Sequence, residues 1–345
     1  MTRSDLNSFE SEARHPSGRN RTEWPQWRRK DVGEMLSETG ENAPIRLSDI
    51  GARLRAFRMG RGLTPEAVAA SLGISRAALY RAEKGEIPKI ETLTRIADVL
   101  GTSLPSLLGV GVEYVDTAIA FFERMRQIEE EAEQIIGLFG PVSYLLTSDA
   151  YDGMLQEVML DAIPPGEDAF GAARQSVDAL MSVLRQRKSW YKRRQPLIVS
   201  LIASSDLERF LLHGALGRHD LPPETVAERR HLARSEVERI ATMLRRPPPG
   251  VQIGIALEPT PATTFQIFRQ RHRSTLAISP FRLGEQPNVR IGVALITSAP
   301  EPMRLHEDIA RRLWEGALKG DAAADFLDGL LGRYGIDGKG QSSHF

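Results

Sequence analysis

The sequence predicts a multidomain protein. An all-α head of five short helices (45–109) precedes a helical linker (112–131) and a mixed α/β, or α+β, domain (132–335). Turn-forming and helix-capping residues divide the head into short apolar segments. Apolar residues then recur at alternating steps of four and three, and the remainder alternates between helix-like and strand-like patterns. The polar ends of the chain, 1–44 and 336–345, are expected to be disordered tails.

The first helix of the head is expected to begin at Ser48, whose side chain can cap a helix, and to end at Gly60 and Gly62. One face of this helix is apolar because hydrophobic residues recur at helical spacing. Those residues are Ile50, Leu54 and Phe57.

The second and third helices have clear start signals. Thr64 suits an N-cap, Pro65 suits the first helical position, and Glu66 matches the positive end of the helix dipole. Gly73 gives the backbone freedom of a tight turn, and Ser75 is expected to cap the third helix. This is a helix-turn-helix pattern, and the second helix of such a unit commonly enters the major groove of DNA.

Two more helices complete the head. Apolar residues at helical spacing predict a fourth helix that ends at Gly101, and Ser103 is expected to open a short fifth helix. The apolar residues of the fourth helix are Leu93, Ile96, Ala97 and Leu100, and those of the fifth are Leu107 and Leu108.

The head resembles the XRE, or lambda-repressor-like, family of DNA-binding domains. The resemblance rests on Leu63-Thr64-Pro65-Glu66, the turn Gly73-Ile74-Ser75, and Glu83-Lys84-Gly85. Pro65 stands where the family usually has glutamine, so the contact that this glutamine makes with phosphate is in question here.

The resemblance also implies roles for particular residues. These are four base contacts, four phosphate contacts, and a partly buried ion pair that joins the first and third helices. In that order they are Arg76, Ala77, Tyr80 and Arg81; Thr64, Ser75, Lys84 and Lys89; and Arg58 with Glu83.

Three of these base-contact assignments have an alternative in which the side chain makes no contact with a base. Arg76 and Arg81 share an exposed face, and arginine is the commonest bidentate reader of guanine, although isolated arginines are usually only solvated surface. Tyr80 either touches a sugar or a thymine methyl, or shields the edge of the domain.

Composition narrows the classes of function. The 345 residues are 41% hydrophobic and carry a formal net charge of zero, so any DNA footprint must be local, and the head is indeed locally basic. The absence of cysteine excludes disulfides and zinc fingers. No apolar run reaches membrane-spanning length, so we expect a cytoplasmic protein of bacterial style without a membrane partner.

The amino-terminal tail contains the segment Trp24-Pro25-Gln26-Trp27-Arg28-Arg29-Lys30. Three interpretations remain open for it. It is a basic arm that reaches DNA beside the head, a docking motif, or a tail without function.

The linker carries a heptad pattern that predicts a dimerising helix. The alternative is that this helix packs on the chain's own carboxy-terminal domain, and the segment from Ile135 to Phe139 suits either a helix or a strand. The residues assigned to the dimer contact are Tyr114, Ala118, Phe121, Met125 and Ile128.

The remaining domain alternates between predicted helices and strands. Helices are expected to begin at Ser148, Asp168 and Ser205 and to cover about 223–245, and two more close the chain. The predicted strands are Pro196 to Ala203, Val251 to Leu257, Thr264 to Arg269 and Val289 to Ile296.

This domain resembles the effector-like domain of actinobacterial Scr1-type antitoxin-like regulators. The similar residues include Leu145-Leu146-Thr147 with Tyr151, Arg187, and Arg194-Gln195 before a strand; Ser143 and Tyr144 replace the family's proline and glycine. The resemblance implies a regulator that binds a small partner protein.

The motifs of enzymes and cofactor sites are missing from the sequence. It has no Ser-Lys dyad with a cleavage site, no paired histidines at helical metal spacing and no glycine-rich phosphate loop, so we expect neither an enzyme nor a cofactor. A cluster of basic residues around Trp190 and Tyr191 suits an anion, or is simply a solvated helix end.

The sequence therefore predicts a sequence-specific DNA-binding transcriptional repressor that works as a homodimer on an operator in double-stranded DNA. Its carboxy-terminal domain would sense an unknown small molecule or a small partner protein. The alternative is an antitoxin-like interaction protein that holds a small partner protein and regulates its own promoter.

Overall fold

The head is built from short helices whose ends follow the capping residues. The structure, a computed structural model, describes residues 46–163 and 167–334, and the side chains of 167–170 are not described. The helices of the described head are α1 (Leu47–Gly60), α2 (Pro65–Leu72), α3 (Arg76–Glu83), α4 (Ile90–Val99) and α5 (Leu104–Leu108).

Capping fixes the turn between α2 and α3. The Thr64 hydroxyl accepts a hydrogen bond from the Ala67 amide, and the Ser75 hydroxyl accepts one from the Ala78 amide. Gly73 has φ +68°, the left-handed conformation that glycine adopts at low cost. The prediction for Ser48 is wrong, because α1 begins at Leu47 and leaves Ser48 inside the first turn.

A seven-stranded mixed sheet forms the centre of the rest of the chain, with the strand order β1-β7-β6-β5-β2-β3-β4. Strands β2, β3 and β4 are parallel, and the other neighbouring pairs are antiparallel. The strands are β1 (Val112–Val115), β2 (Ala132–Phe139), β3 (Leu197–Ala203), β4 (Val251–Ala256), β5 (Thr264–Gln270), β6 (Ser274–Ser279) and β7 (Ala294–Thr297).

Helices cover the sheet and bury its central strands on both faces, as expected for parallel strands joined by helical crossovers. Helix α11 packs against β2, β3, β4 and β6. Helix α6 packs against β1 and β2, and α9 packs against β3. These helices are α6 (Ala118–Glu129), α7 (Asp149–Asp161), α8 (Glu167–Arg194), α9 (Ser204–His213), α10 (Pro223–Arg245), α11 (Pro300–Gly316) and α12 (Gly320–Arg333).

Several element boundaries differ from the sequence-based predictions. The strand expected over 289–296 is confined to β7, β6 was not predicted, and α9 begins at Ser204 rather than after a Ser205 cap. Ser148 does cap α7, since its hydroxyl accepts a hydrogen bond from the Tyr151 amide.

The largest correction concerns the segment 112–131, which is not one helix. It forms strand β1 and then helix α6, which Thr117 caps by accepting a hydrogen bond from the Ala120 amide. The run that begins at Ala132 is strand β2, the alternative that the sequence left open.

The head and the sheet domain pack as one compact unit and share a continuous apolar core. Helix α1 lies against α6, and the carboxylate of Glu113 on β1 joins the two parts through Arg53 of α1 and Arg124 of α6. The predicted tails and the Trp24–Lys30 segment lie outside the described residues.

Candidate nucleic-acid interface

Helix α3 presents one exposed face and one buried face. Leu79 and Ala82 are both buried in the head, because residues three positions apart lie on the same face of a helix. The predicted base-contacting residues lie on the other face, where all four are exposed: Arg76, Ala77, Tyr80 and Arg81.

Both arginines of this face have acidic neighbours. Arg76 Nε lies 2.6 Å from Glu66 Oε1 and its guanidinium sits 5.2 Å from the centre of the Tyr80 ring. The hydrogen bond to the Tyr80 hydroxyl, followed by the charge of Glu66, raises the pKa of Arg76. Arg81 Nε lies 3.8 Å from a carboxylate oxygen of Glu86. The sequence analysis did not predict either ion pair. Glu66 lies on α2, ten positions before Arg76 on α3, and only the folded head brings the two side chains together.

The four predicted phosphate-contacting residues surround α3. Thr64 and Ser75 are the N-caps of α2 and α3, so their hydroxyl oxygens already accept amide hydrogen bonds while their hydrogens can still be donated. Lys84 follows the last residue of α3, Lys89 precedes α4, and both are exposed. Their contacts with phosphate stay predictions.

The ion pair predicted between the first and third helices is present. Arg58 donates from Nε to Glu83 Oε1 at 2.6 Å and from Nη2 to Glu83 Oε2 at 3.2 Å, and both side chains are almost fully buried. Arg58 also donates to the Leu63 carbonyl at 2.9 Å. This bidentate pair fixes α3 against α1 and so fixes the direction in which the exposed face points.

Many basic side chains of the head form ion pairs or hydrogen bonds with other residues of the chain. Arginines on α1 and directly beside it form ion pairs with acidic residues of the sheet domain. Arg95 of α4 donates a hydrogen bond to the Leu72 carbonyl within the head. The cation pairs with the sheet domain are Arg46–Glu131, Arg53–Glu113, Arg55–Glu123 and Arg61–Asp116. The exposed positive charge near α3 is therefore small and confined to its outer face and flanks.

The residues predicted to form a dimer seam do not form one in this fold. Ala118, Phe121, Met125 and Ile128 lie in α6 and are at most 3% exposed within the chain's own core. A dimer contact through them would require α6 to leave that core. Tyr114, in contrast, is 56% exposed on the edge strand β1.

The basic cluster around Trp190 divides among several partners instead of forming one anion site. Arg187 makes a bidentate pair with Glu129, and Lys188 pairs with Asp152 and donates to the Ser148 carbonyl at 2.9 Å. Arg187 and Lys188 are buried, whereas the other cations of the cluster are exposed: Arg185, Lys192, Arg193 and Arg194.

Residues 46–163 and 167–334 contain neither a candidate metal site nor a helix that could span a membrane. This part of the chain has no group of three or more His, Cys, Asp or Glu side chains placed to hold a metal ion. None of its helices combines the length and the hydropathy needed to span a membrane.

Comparisons with known proteins identify one region of the chain. Residues 49–108 match the model of a helix-turn-helix domain, so the head is a helix-turn-helix DNA-binding domain. No curated protein matches the chain. Among solved structures, TrmBL2, an archaeal chromatin protein described as showing a novel mode of DNA binding, has 11% identity and a TM-score of 0.27, with 85% of this chain and 100% of that chain covered. A TM-score this low supports no argument about fold or function.

Proposed function

We propose that this protein is a sequence-specific, XRE-type transcriptional regulator that acts as a repressor by occupying operator DNA. One observation carries the proposal: α3 presents two arginines on an exposed face, and a buried ion pair fixes the opposite side of that helix. Arginine side chains in the major groove read guanine through two parallel hydrogen bonds.

The flanks of α3 support the same orientation on DNA. The amino termini of α2 and α3 carry capping hydroxyls and partial positive charge, which suit phosphate groups on either side of a groove. Lys84 and Lys89 add exposed positive charge at the other end of α3. The acidic partners Glu66 and Glu86 would be exchanged for DNA when the protein binds.

We further propose that the regulator is a homodimer that reads two half-sites one helical turn apart, roughly 34 Å. Because the predicted contact residues of α6 are buried in the chain's own core, we propose that the protomers meet through another surface. Light scattering at micromolar concentration tests the stoichiometry, and a monomer would contradict the dimer.

The sheet domain is proposed to sense a signal, either a small molecule or a small partner protein. Direct contacts between α1 and α6 support this role, because a change in the sheet domain can reach the head without a flexible linker. Gln127 of α6, for example, donates to the Ala52 carbonyl of α1 at 3.1 Å.

The test of DNA reading is a selection of bound duplexes from a random pool, with the parent and the double variant Arg76→Ala/Arg81→Ala. A matched control is Arg304→Ala/Arg333→Ala, since these side chains are 64% and 67% exposed against 62% and 63% for the pair on α3.

We expect the parent and the control to enrich one two-fold symmetric motif and the α3 variant to lose it. A single change on α3 should weaken binding to the preferred site about five- to 150-fold. A folded parent that enriches no motif would contradict the proposal and favour the antitoxin-like alternative.

A further inference from the structure

A cavity of about 610 Å³ lies at the carboxyl ends of the parallel strands. Its walls come from the segments that follow β2, β3 and β4, and from the loop after β6. In sheets of this kind, the carboxyl edge of the parallel strands is where ligands commonly bind, because loops there diverge and leave space. The volume lies within the range of small-molecule sites.

Four phenylalanine rings contribute to a wall that otherwise contains many polar residues. Phe121 and Phe122 come from α6, Phe139 from the end of β2, and Phe281 from the loop after β6. The ring centres of Phe121 and Phe281 are 5.8 Å apart, and those of Phe121 and Phe122 are 5.1 Å apart. Such a wall favours a flat, ring-containing ligand.

Polar atoms in the wall lack partners in the described part of the protein. The Ser143 hydroxyl and the Gln266 amide oxygen are buried there without a hydrogen bond. Unpaired buried polar atoms cost free energy. In the present rotamers neither oxygen is open to the cavity. Half a turn of the last side-chain torsion of Gln266 would exchange the positions of its amide oxygen and nitrogen, so that the oxygen would accept an N–H from a ligand in the cavity.

The charges around the cavity are already compensated. Arg187 is held by the buried carboxylate of Glu129, and Arg209 at the mouth contacts both Asp206 and Glu285. A charged ligand would have to compete with these carboxylates for the arginines. An uncharged ligand fits the wall without that cost.

We infer that this cavity binds an uncharged, ring-containing small molecule that donates an N–H to Gln266. The inference rests on the sensing role proposed for the sheet domain and identifies the site and the class of ligand. Helix α6 connects this site to the head, because Phe121 and Phe122 line the cavity while Gln127 of the same helix bonds to α1.

The first experiment measures binding of 1-aminoanthracene, an uncharged fluorescent ring system, to the full chain without DNA. Ala262→Trp places a large side chain at an exposed wall position, and the matched control Thr263→Trp changes the next residue, which is not a wall residue. We expect saturable binding of one probe per chain, at least tenfold weaker binding in Ala262→Trp and unchanged binding in the control. An absence of saturable binding, or equal affinities in both variants, would overturn the inference.

The second experiment tests the polar contact by displacing the probe with indole or with benzofuran, which has the same shape but no N–H. The parent should prefer indole about fivefold, the value of one ordinary hydrogen bond, and Gln266→Leu should abolish that preference. An equal preference in the parent and Gln266→Leu would refute the assigned contact. Because neither experiment contains DNA, their outcome is independent of whether the head reads a sequence.

Discussion

The carboxylate of Glu113 provides the sharpest test of how the head is attached. It is 3% exposed and accepts hydrogen bonds from Arg124 Nε at 2.7 Å, Arg124 Nη2 at 3.1 Å and Arg53 Nε at 3.0 Å. Burial, followed by the nearby charge of Arg124, lowers the pKa of Arg53, and the charge of Glu113 opposes both effects. Without that carboxylate, two largely buried cations would face each other.

We therefore expect Glu113→Gln to lower the free energy of unfolding by about 3–5 kcal/mol, the usual cost of removing one member of a buried ion pair. Gln keeps the size of the side chain, so the loss reports charge rather than volume. Urea unfolding followed by circular dichroism measures it as a shift of the midpoint at constant slope. The control Glu91→Gln changes an exposed carboxylate on α4 and should stay within about 0.5 kcal/mol of the parent.

A third variant separates charge from packing at this junction. Replacing Arg53, Glu113 and Arg124 together by methionine removes every charge of the cluster, and should recover most of the stability that Glu113→Gln loses. A Glu113→Gln protein within 1 kcal/mol of the parent would refute the reasoning, since it would mean that the cluster is accessible to water.

Three other perturbations test separate parts of the molecule. Glu66→Gln should raise DNA affinity about two- to fivefold at low salt, because it removes a carboxylate that competes with DNA for Arg76. Fluorescence anisotropy measures this affinity, and an unchanged value would argue against competition. Gly51→Ala should lower the free energy of unfolding by about 1–3 kcal/mol, since a Cβ there would lie 2.6 Å from two carbonyl oxygens of α3. Gly153→Ala, which adds a Cβ in open space on a helix, should raise it by about 0.5–1 kcal/mol. Thermal unfolding must therefore give shifts of opposite sign for the two variants. Burial raises the pKa of Tyr191 to about 12. Above pH 10 the folded chain therefore keeps a phenol proton that the unfolded chain loses, and the free energy of unfolding falls as the pH rises. Between about pH 8 and pH 11 the parent should lose about 1 kcal/mol more of this free energy than Tyr191→Phe, and parallel losses would be inconsistent with the shift.

The head could be predicted from the sequence because its signals are local. The capping roles of Thr64 and Ser75, the left-handed Gly73 and the apolar spacing of α3 each depend on residues within a few positions. Their agreement left few alternative structures for this segment. The pair between Arg58 and Glu83 was also expected, but only through the resemblance to a known family.

The segment after the head was misread because one apolar pattern fits two structures. Phe121, Met125 and Ile128 follow a heptad, but a helix that is buried on one side by its own chain shows the same spacing. Strand β1 has only four residues, and the helix-start signal of Thr117, which caps α6, stands inside the continuous apolar pattern that suggested one helix.

The cavity was beyond prediction for a physical reason. Its wall combines side chains from α6, β2, β5 and several loops that only the sheet topology brings together. Gln266 and Ser143 look like ordinary surface residues in the sequence, and their unpaired atoms become visible only once burial is known.

The pairing of β1 with β7 also constrains when the molecule can be completed during synthesis. Strand β1 leaves the ribosome directly after the head, whereas its partner Ala294–Thr297 is among the last strands to be made. Helices α1–α5 depend on contacts that are close in the chain and can form early, but the edge of the sheet beside them must wait. For most of its translation, the nascent chain therefore carries a DNA-binding head whose anchoring strand lacks a neighbour.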